Sequence, residues 1–141
     1  MAFPNNYVRH GKYNAKKVER HGLKFDGERE ADRYDYLLEC QRRGLISELK
    51  RQVEFILIPD EYTDVKIQLK TKVKIVKKRT FIGVRYRADF VYWHVPKQEH
   101  VVEDLKASPK MIPADYLLKE KMMHSIRHID IHRVYKPKEP I

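Results

Sequence analysis

Val84-Arg85-Tyr86-Arg87-Ala88-Asp89-Phe90-Val91-Tyr92-Trp93, followed beyond Pro96 by Val101-Val102-Glu103-Asp104-Leu105-Lys106, is the stretch on which the fold turns. Both runs are rich in β-branched and aromatic residues and a turn separates them, so they predict two strands of one hairpin. In the first, Val84, Tyr86, Ala88, Phe90 and Tyr92 share one face, and Arg85, Arg87, Asp89, Val91 and Trp93 the other. Asp89 is the anomaly: a carboxylate in mid-strand is disfavoured unless a cation accompanies it. In the second strand Asp104 and Lys106 fall on one side, Glu103 and Leu105 on the other. Pairing the strands brings Asp89 close to Asp104. Two such carboxylates repel unless a hard divalent cation with oxygen ligands lies between them.

Outward from that hairpin, residues 28–43 carry a helical pattern, with Asp26 as N-cap, Glu28 and Glu30 at the positive end of the dipole and Gly44 as the stop. Its inward stripe comprises Ala31, Tyr34, Leu37, Leu38 and Gln41, and Glu30 lies on the same stripe, within reach of the sheet. A strand over 53–58 ends at Pro59-Asp60. Residues 66–74 read as one half-buried strand, Ile67, Leu69, Val73 and Ile75 inward and Lys66, Gln68, Lys70, Lys72 and Lys74 outward. Pro113 opens a helix to about Arg127 with Leu118, Met122 and Ile126 as its inward ridge, and 129–135 form a last strand. The order helix, strand meander, helix, strand predicts an α/β domain with a central mixed sheet flanked by helices. His124, His128 and His132 are spaced for zinc, but the helix ends near Arg127 and Cys40 is the only cysteine, so no zinc site is expected.

The 141 residues fit a single domain, read as a basic flexible arm over 1–22 followed by the folded domain over 23–141. Thirty Lys and Arg against twenty Asp and Glu leave a formal charge of +10, which points to a polyanionic partner. The surplus is local: residues 64–87 hold nine Lys or Arg and one acid, Asp64. That ribbon is expected to track a DNA backbone, with Lys70, Lys72, Lys74, Arg85 and Arg87 among the contacts and Lys12, Lys16 and Lys17 adding others from the arm. One cysteine, no signal-like apolar start and no membrane-length apolar run predict a cytoplasmic protein (host cytoplasm if phage-encoded) with no membrane partner.

These residues also resemble a known pattern. Glu30 in the first helix, Asp89 within Arg87-Ala88-Asp89-Phe90, and Asp104-Leu105-Lys106 after a short hairpin look like the signature of the PD-(D/E)xK nuclease superfamily. Lys12-Tyr13-Asn14 with Lys16-Lys17, Phe25-Asp26 leading to Glu30-Ala31, and Gln52 opening a strand extend the likeness. Together they resemble a family of small phage and prophage nucleases described as Holliday-junction-resolvase-like, over roughly residues 12–135. Ala88 stands where the motif's name has proline, and Asp104 where Glu is common. The resemblance implies a single restriction-endonuclease-like domain. Asp89, Asp104 and the Leu105 carbonyl would hold Mg²⁺ or Mn²⁺, Glu30 would complete the shell, and Lys106 would orient the attacking water or neutralise the charged intermediate. It further implies that Lys119 contacts the scissile phosphate and that Gln52 orients a ligand or the nucleophile.

The expected function is a Mg²⁺-dependent DNA endonuclease acting on Holliday junctions or other branched DNA in phage recombination or replication. A two-fold symmetric junction suits a homodimer. The alternative is a non-catalytic basic DNA-binding protein whose carboxylates only pair with neighbouring cations.

Overall fold

The computed structural model describes residues 16–141. A short hairpin of β1 (Val18–Arg20) and β2 (Leu23–Phe25) precedes helix α1 (Glu28–Arg42). There follow β3 (Ile46–Ile58), β4 (Glu61–Gln68), β5 (Val73–Phe81), β6 (Val84–His94) and β7 (Glu99–Leu105). Helix α2 (Ala114–Met122) runs on into a π-helical turn, Met123–Arg127, and β8 (His132–Val134) ends the order. The fold is mixed α/β. Its four-stranded sheet has the order β3-β6-β7-β8, antiparallel except for the parallel pair β7–β8. That parallel pair requires a crossover, and α2 supplies it.

The two helices cover opposite faces of the sheet. On β7, Val102 packs with Tyr116 and Met123 beyond α2, while the adjacent Glu103 turns to Arg33 of α1. Leu57, Tyr86 and Ala88 join the α2-side core; Leu37, Cys40, Ile46, Phe90 and Tyr92 form the α1-side core. Along β6 the change from one core to the other falls between Ala88 and Phe90. Asp89 sits at that seam. Opposite it on β3, Gln52 has a left-handed backbone (φ 54°), between the in-register pairs Arg51–Phe90 and Val53–Ala88.

The helix over 28–43 forms almost as the pattern predicts, but its start is built differently. Gly27, in an extended conformation, is the N-cap and no side chain caps it; Asp26 instead donates its backbone N–H to Glu30 Oε2 at 3.1 Å. The stripe also differs. Arg33 is fully buried, because Glu103, Tyr92 and the C-terminal carbonyls of Pro137 and Glu139 make its burial favourable, while Gln41 is exposed.

Three further expectations differ from the structure. Residues 66–74 are not one strand: the chain reverses at Leu69–Lys72, where Leu69 N–H donates to the Lys72 carbonyl at 2.8 Å, and β4 and β5 form a separate two-stranded ribbon. Ile67 (42% exposed) and Ile75 (62%) are not half-buried, since no other layer covers the ribbon. The inward ridge of α2 is Tyr116 and Met123 rather than Leu118 and Ile126, which are 60% and 47% exposed. Tyr116 and Met123 stand seven residues apart, an ordinary two-turn α-helical repeat, and Met122 is half-buried against the same core. β1 lies inside the stretch read as an arm, tied down by Arg20, which bonds Asp32 and Asp35 at 2.7 Å and Glu28 at 2.5 Å. Among the described residues no helix is long and apolar enough to cross a membrane.

Candidate active site

Alternation along β6 and β7 dictates the site. The register pairs Phe90 with Glu103, and one step further sets Asp89 opposite Asp104. Asp104 is 5% exposed, and its carboxylate is held from two sides. Lys106 Nζ lies 2.5 Å from Oδ1, and the Tyr86 hydroxyl donates to Oδ2 at 2.8 Å. The Lys106 ammonium also sits 3.6 Å above the Tyr116 ring, a cation–π contact that fixes its position under α2. Asp89 accepts the Leu105 N–H on Oδ2 at 2.8 Å and, among the described residues, forms no ion pair. Burial, followed by the field of Asp104, pushes its carboxyl up to about 7; Glu30 adds to the rise, and Leu105 N–H and Lys106 oppose it.

Glu30 reaches the same neighbourhood from the first turn of α1. It is 8% exposed, accepts a hydrogen bond from Gln52 Nε2 at 2.7 Å on Oε1, and lies 3.9 Å from Arg51. Gln52 thus orients Glu30, a task its left-handed backbone makes possible by turning the side chain off the regular strand path. Arg51 stacks on Phe25 at 4.2 Å and donates to the Lys24 carbonyl, while its buried Nε has no partner.

The structure therefore brings Glu30, Gln52, Asp89, Asp104, Leu105 and Lys106 together, but not as a preformed cage. Among the described residues no group of three or more His, Cys, Asp or Glu side chains is arranged to hold a metal ion. Glu30 is engaged by Gln52 and the Asp26 N–H, which leaves Asp89 and Asp104 as the carboxylate pair. Their donor chemistry fits a hard divalent cation: oxygen only, with Asp104 buried, Asp89 half-buried, and one carboxyl whose charged form lacks a compensating cation. The cavity of about 760 Å³ lined by Tyr92, His94, His100 and His132 contains none of these residues.

The remaining expected contacts scatter. Lys70 and Lys72 lie at the turn of the ribbon and Lys74 on β5, all exposed; Lys16 and Lys17 are exposed near β1. Lys12 lies outside the described residues. Arg87 is exposed on β6, whereas Arg85 is engaged at the base of the ribbon with Asp60 (3.1 Å) and Glu54 (3.7 Å). Lys119 is half-buried on α2 and, among the described residues, makes no ion pair. Sequence reasoning missed Tyr86 and Tyr116. The signal was available for both, since a buried tyrosine hydroxyl needs a partner and an aromatic face beside a lone lysine can hold it.

No curated protein and no solved structure matches the sequence. A family model does, across residues 10–139, under the description "Protein of unknown function (DUF1064)". The chain accordingly belongs to the DUF1064 family.

Proposed function

We propose that this chain is a divalent-metal-dependent DNA endonuclease of the PD-(D/E)xK type, on a restriction-endonuclease-like domain. The observation that carries the reading is the pair of half-buried Asp89 and buried Asp104, facing each other across β6 and β7 with Lys106 beside them and Asp89 without a cation of its own. A protein that only bound DNA would gain nothing from half-burying an uncompensated carboxylate.

Asp89, Asp104 and the Leu105 carbonyl would hold Mg²⁺ or Mn²⁺. Bound there, the cation supplies Lewis acidity and lowers the pKa of a water. Lys106, fixed by Asp104 and the Tyr116 ring, presents a positive charge where negative charge develops on the phosphate oxygens. Glu30, oriented by Gln52, borders the same space and can accept a proton from water. Hydrolysis adds the water oxygen to phosphorus and breaks one ester bond, leaving a phosphate monoester and a hydroxyl. Branched DNA as substrate belongs to the same reading through the family resemblance, a homodimer through the two-fold symmetry of a junction, and a cytoplasmic setting through the single cysteine.

A second reading is favoured by one observation: Asp104 already has Lys106 and Tyr86, and no three-ligand metal group is assembled. On it, the chain binds DNA without cutting. Incubation with four-way junction, flap and linear duplex DNA, with and without Mg²⁺, separates the two. The nuclease reading expects Mg²⁺-dependent cleavage, greatest on the junction; binding without cleavage of any substrate supports the second.

A further inference from the structure

The β4–β5 ribbon has no counterpart in the site, yet it holds half of the chain's charge surplus. Residues 61–81 carry seven Lys or Arg (Lys66, Lys70, Lys72, Lys74, Lys77, Lys78, Arg79) against Glu61 and Asp64. Every residue of both strands is exposed except Val65 and Val76, which are half-buried.

Had 66–74 been a single strand, its lysines would have lined one face, suited to lying along one phosphate backbone. The reversal at Leu69–Lys72 changes that. The register pairs Ile67 with Lys74, Val65 with Val76 and Thr63 with Lys78. Paired residues share a face, so Lys74 and Lys78 lie on one side of the ribbon. The alternate pairs, Lys66 with Ile75, Asp64 with Lys77 and Tyr62 with Arg79, lie on the other. Lys70 and Lys72 occupy the tip. The ribbon is thus basic on both faces and at its end, with exposed Ile67, Val73 and Ile75 between the lysines.

Its base is braced. Asp60 accepts the Gly83 N–H at 2.7 Å and pairs with Arg85 and Arg79. A Cβ at Gly83 would come within 1.8 Å of the Ile58 carbonyl oxygen, so only glycine allows the strands to pass so closely there. From that base the eight residues of β4 reach about 27 Å at about 3.4 Å each. β6 runs from the same base in the other direction, to Asp89.

We propose that the β4–β5 ribbon is an arm that enters the major groove of duplex DNA, its two faces meeting the phosphates of the two groove walls. The major groove is about 12 Å wide and about 8.5 Å deep and admits a two-stranded ribbon, so the arm is long enough to fill it. Cations on both faces are what a groove with an anionic wall on each side selects; a backbone track needs only one. The proposal rests on DNA being the partner, not on cleavage.

The test is equilibrium binding of the full chain to a labelled linear duplex without Mg²⁺, over a salt series. The wild type is compared with Lys74→Gln/Lys78→Gln on one face and Lys66→Gln/Lys77→Gln on the other. All four lysines are exposed and lie outside the candidate site, and circular dichroism verifies folding. Each double variant is expected to weaken binding and flatten the salt slope by about 2, since each lost phosphate contact removes about 0.9. Methylation of guanine N7 is expected to interfere with wild-type binding. If one variant binds like the wild type, or N7 methylation has no effect, the groove-entry proposal is overturned while the nuclease reading stands. If the wild type binds no DNA, both fall. Loss of cleavage in a site variant that still binds duplex touches the nuclease reading alone.

Discussion

Glu103 and Asp104 are consecutive on β7 and both buried, at 1% and 5% exposure, yet they meet opposite electrostatic treatment. Glu103 faces α1, where Arg33 grips it through Nε at 3.0 Å and a second nitrogen at 2.6 Å, and the Tyr92 hydroxyl donates at 2.5 Å. One carboxylate meets one guanidinium, and Arg33's remaining donor capacity holds the backbone of the C-terminal segment. Asp104 faces α2 beside Lys106, and the fields of Asp104 and Glu30 both act on neighbouring Asp89, which has no cation of its own. The first cluster is closed and neutral and ties the fold together. The second leaves negative charge uncompensated, as a cation site must before the cation arrives. Adjacent residues of one strand can therefore divide structure from chemistry simply by pointing to opposite faces.

The largest effect is expected on the closed side. Arg33→Met leaves Glu103 buried and unpaired and is expected to cost about 3–5 kcal/mol, read as a lower midpoint in urea unfolding. A cost under about 1 kcal/mol would mean that the pair is not what closes that cluster.

On the open side the sign reverses. The Asp89 carboxyl is raised to about 7 from an ordinary value near 3.9, so between those values the folded state binds more protons than the unfolded chain. The contribution of Asp89 to stability is complete below about pH 4 and is lost as pH rises through about 7. Asp89→Asn keeps an oxygen for the Leu105 N–H without the charge. It is expected to raise the melting temperature of the metal-free protein at pH 8 by several degrees and to leave it nearly unchanged at pH 4. Destabilisation at pH 8 would show that Asp89 has a compensating partner after all.

Mg²⁺ should act more weakly in the same direction. With a dissociation constant near 1 mM, 10 mM Mg²⁺ would stabilise the wild type by about 1.4 kcal/mol at neutral pH and Asp89→Asn hardly at all. Equal shifts in both would place the ion elsewhere. The smallest effect belongs to Tyr86→Phe, which removes one donor from Asp104 while Lys106 remains, and is expected to cost about 1 kcal/mol.

Much of this contrast was legible in the residues. Alternating burial along β6 isolates Asp89 between buried Ala88 and Phe90, although these two belong to different cores, and alternation on β7 separates Glu103 from Asp104. Arg33 was not legible, because an arginine on a helix reads as solvent-facing until its partner seventy residues later is known to lie opposite. The reversal at Leu69–Lys72 was hidden for a different reason. It contains no Gly, Pro, Asn or Asp, and the alternation of polar and aliphatic residues runs through it with only Thr71 out of place. On α2, Tyr116 and Leu118 are both apolar and only two residues apart, and the sequence does not show which of them the sheet covers.

The central claim is that Asp89 and Asp104 form a metal-dependent hydrolytic centre. Its most direct test is cleavage of four-way junction DNA in Mg²⁺ by the wild type and by Asp89→Asn, with binding to the same DNA measured in parallel. The account predicts that the wild type cuts, and that Asp89→Asn binds with similar affinity but its cleavage falls to background. Undiminished Mg²⁺-dependent cleavage by Asp89→Asn would contradict it.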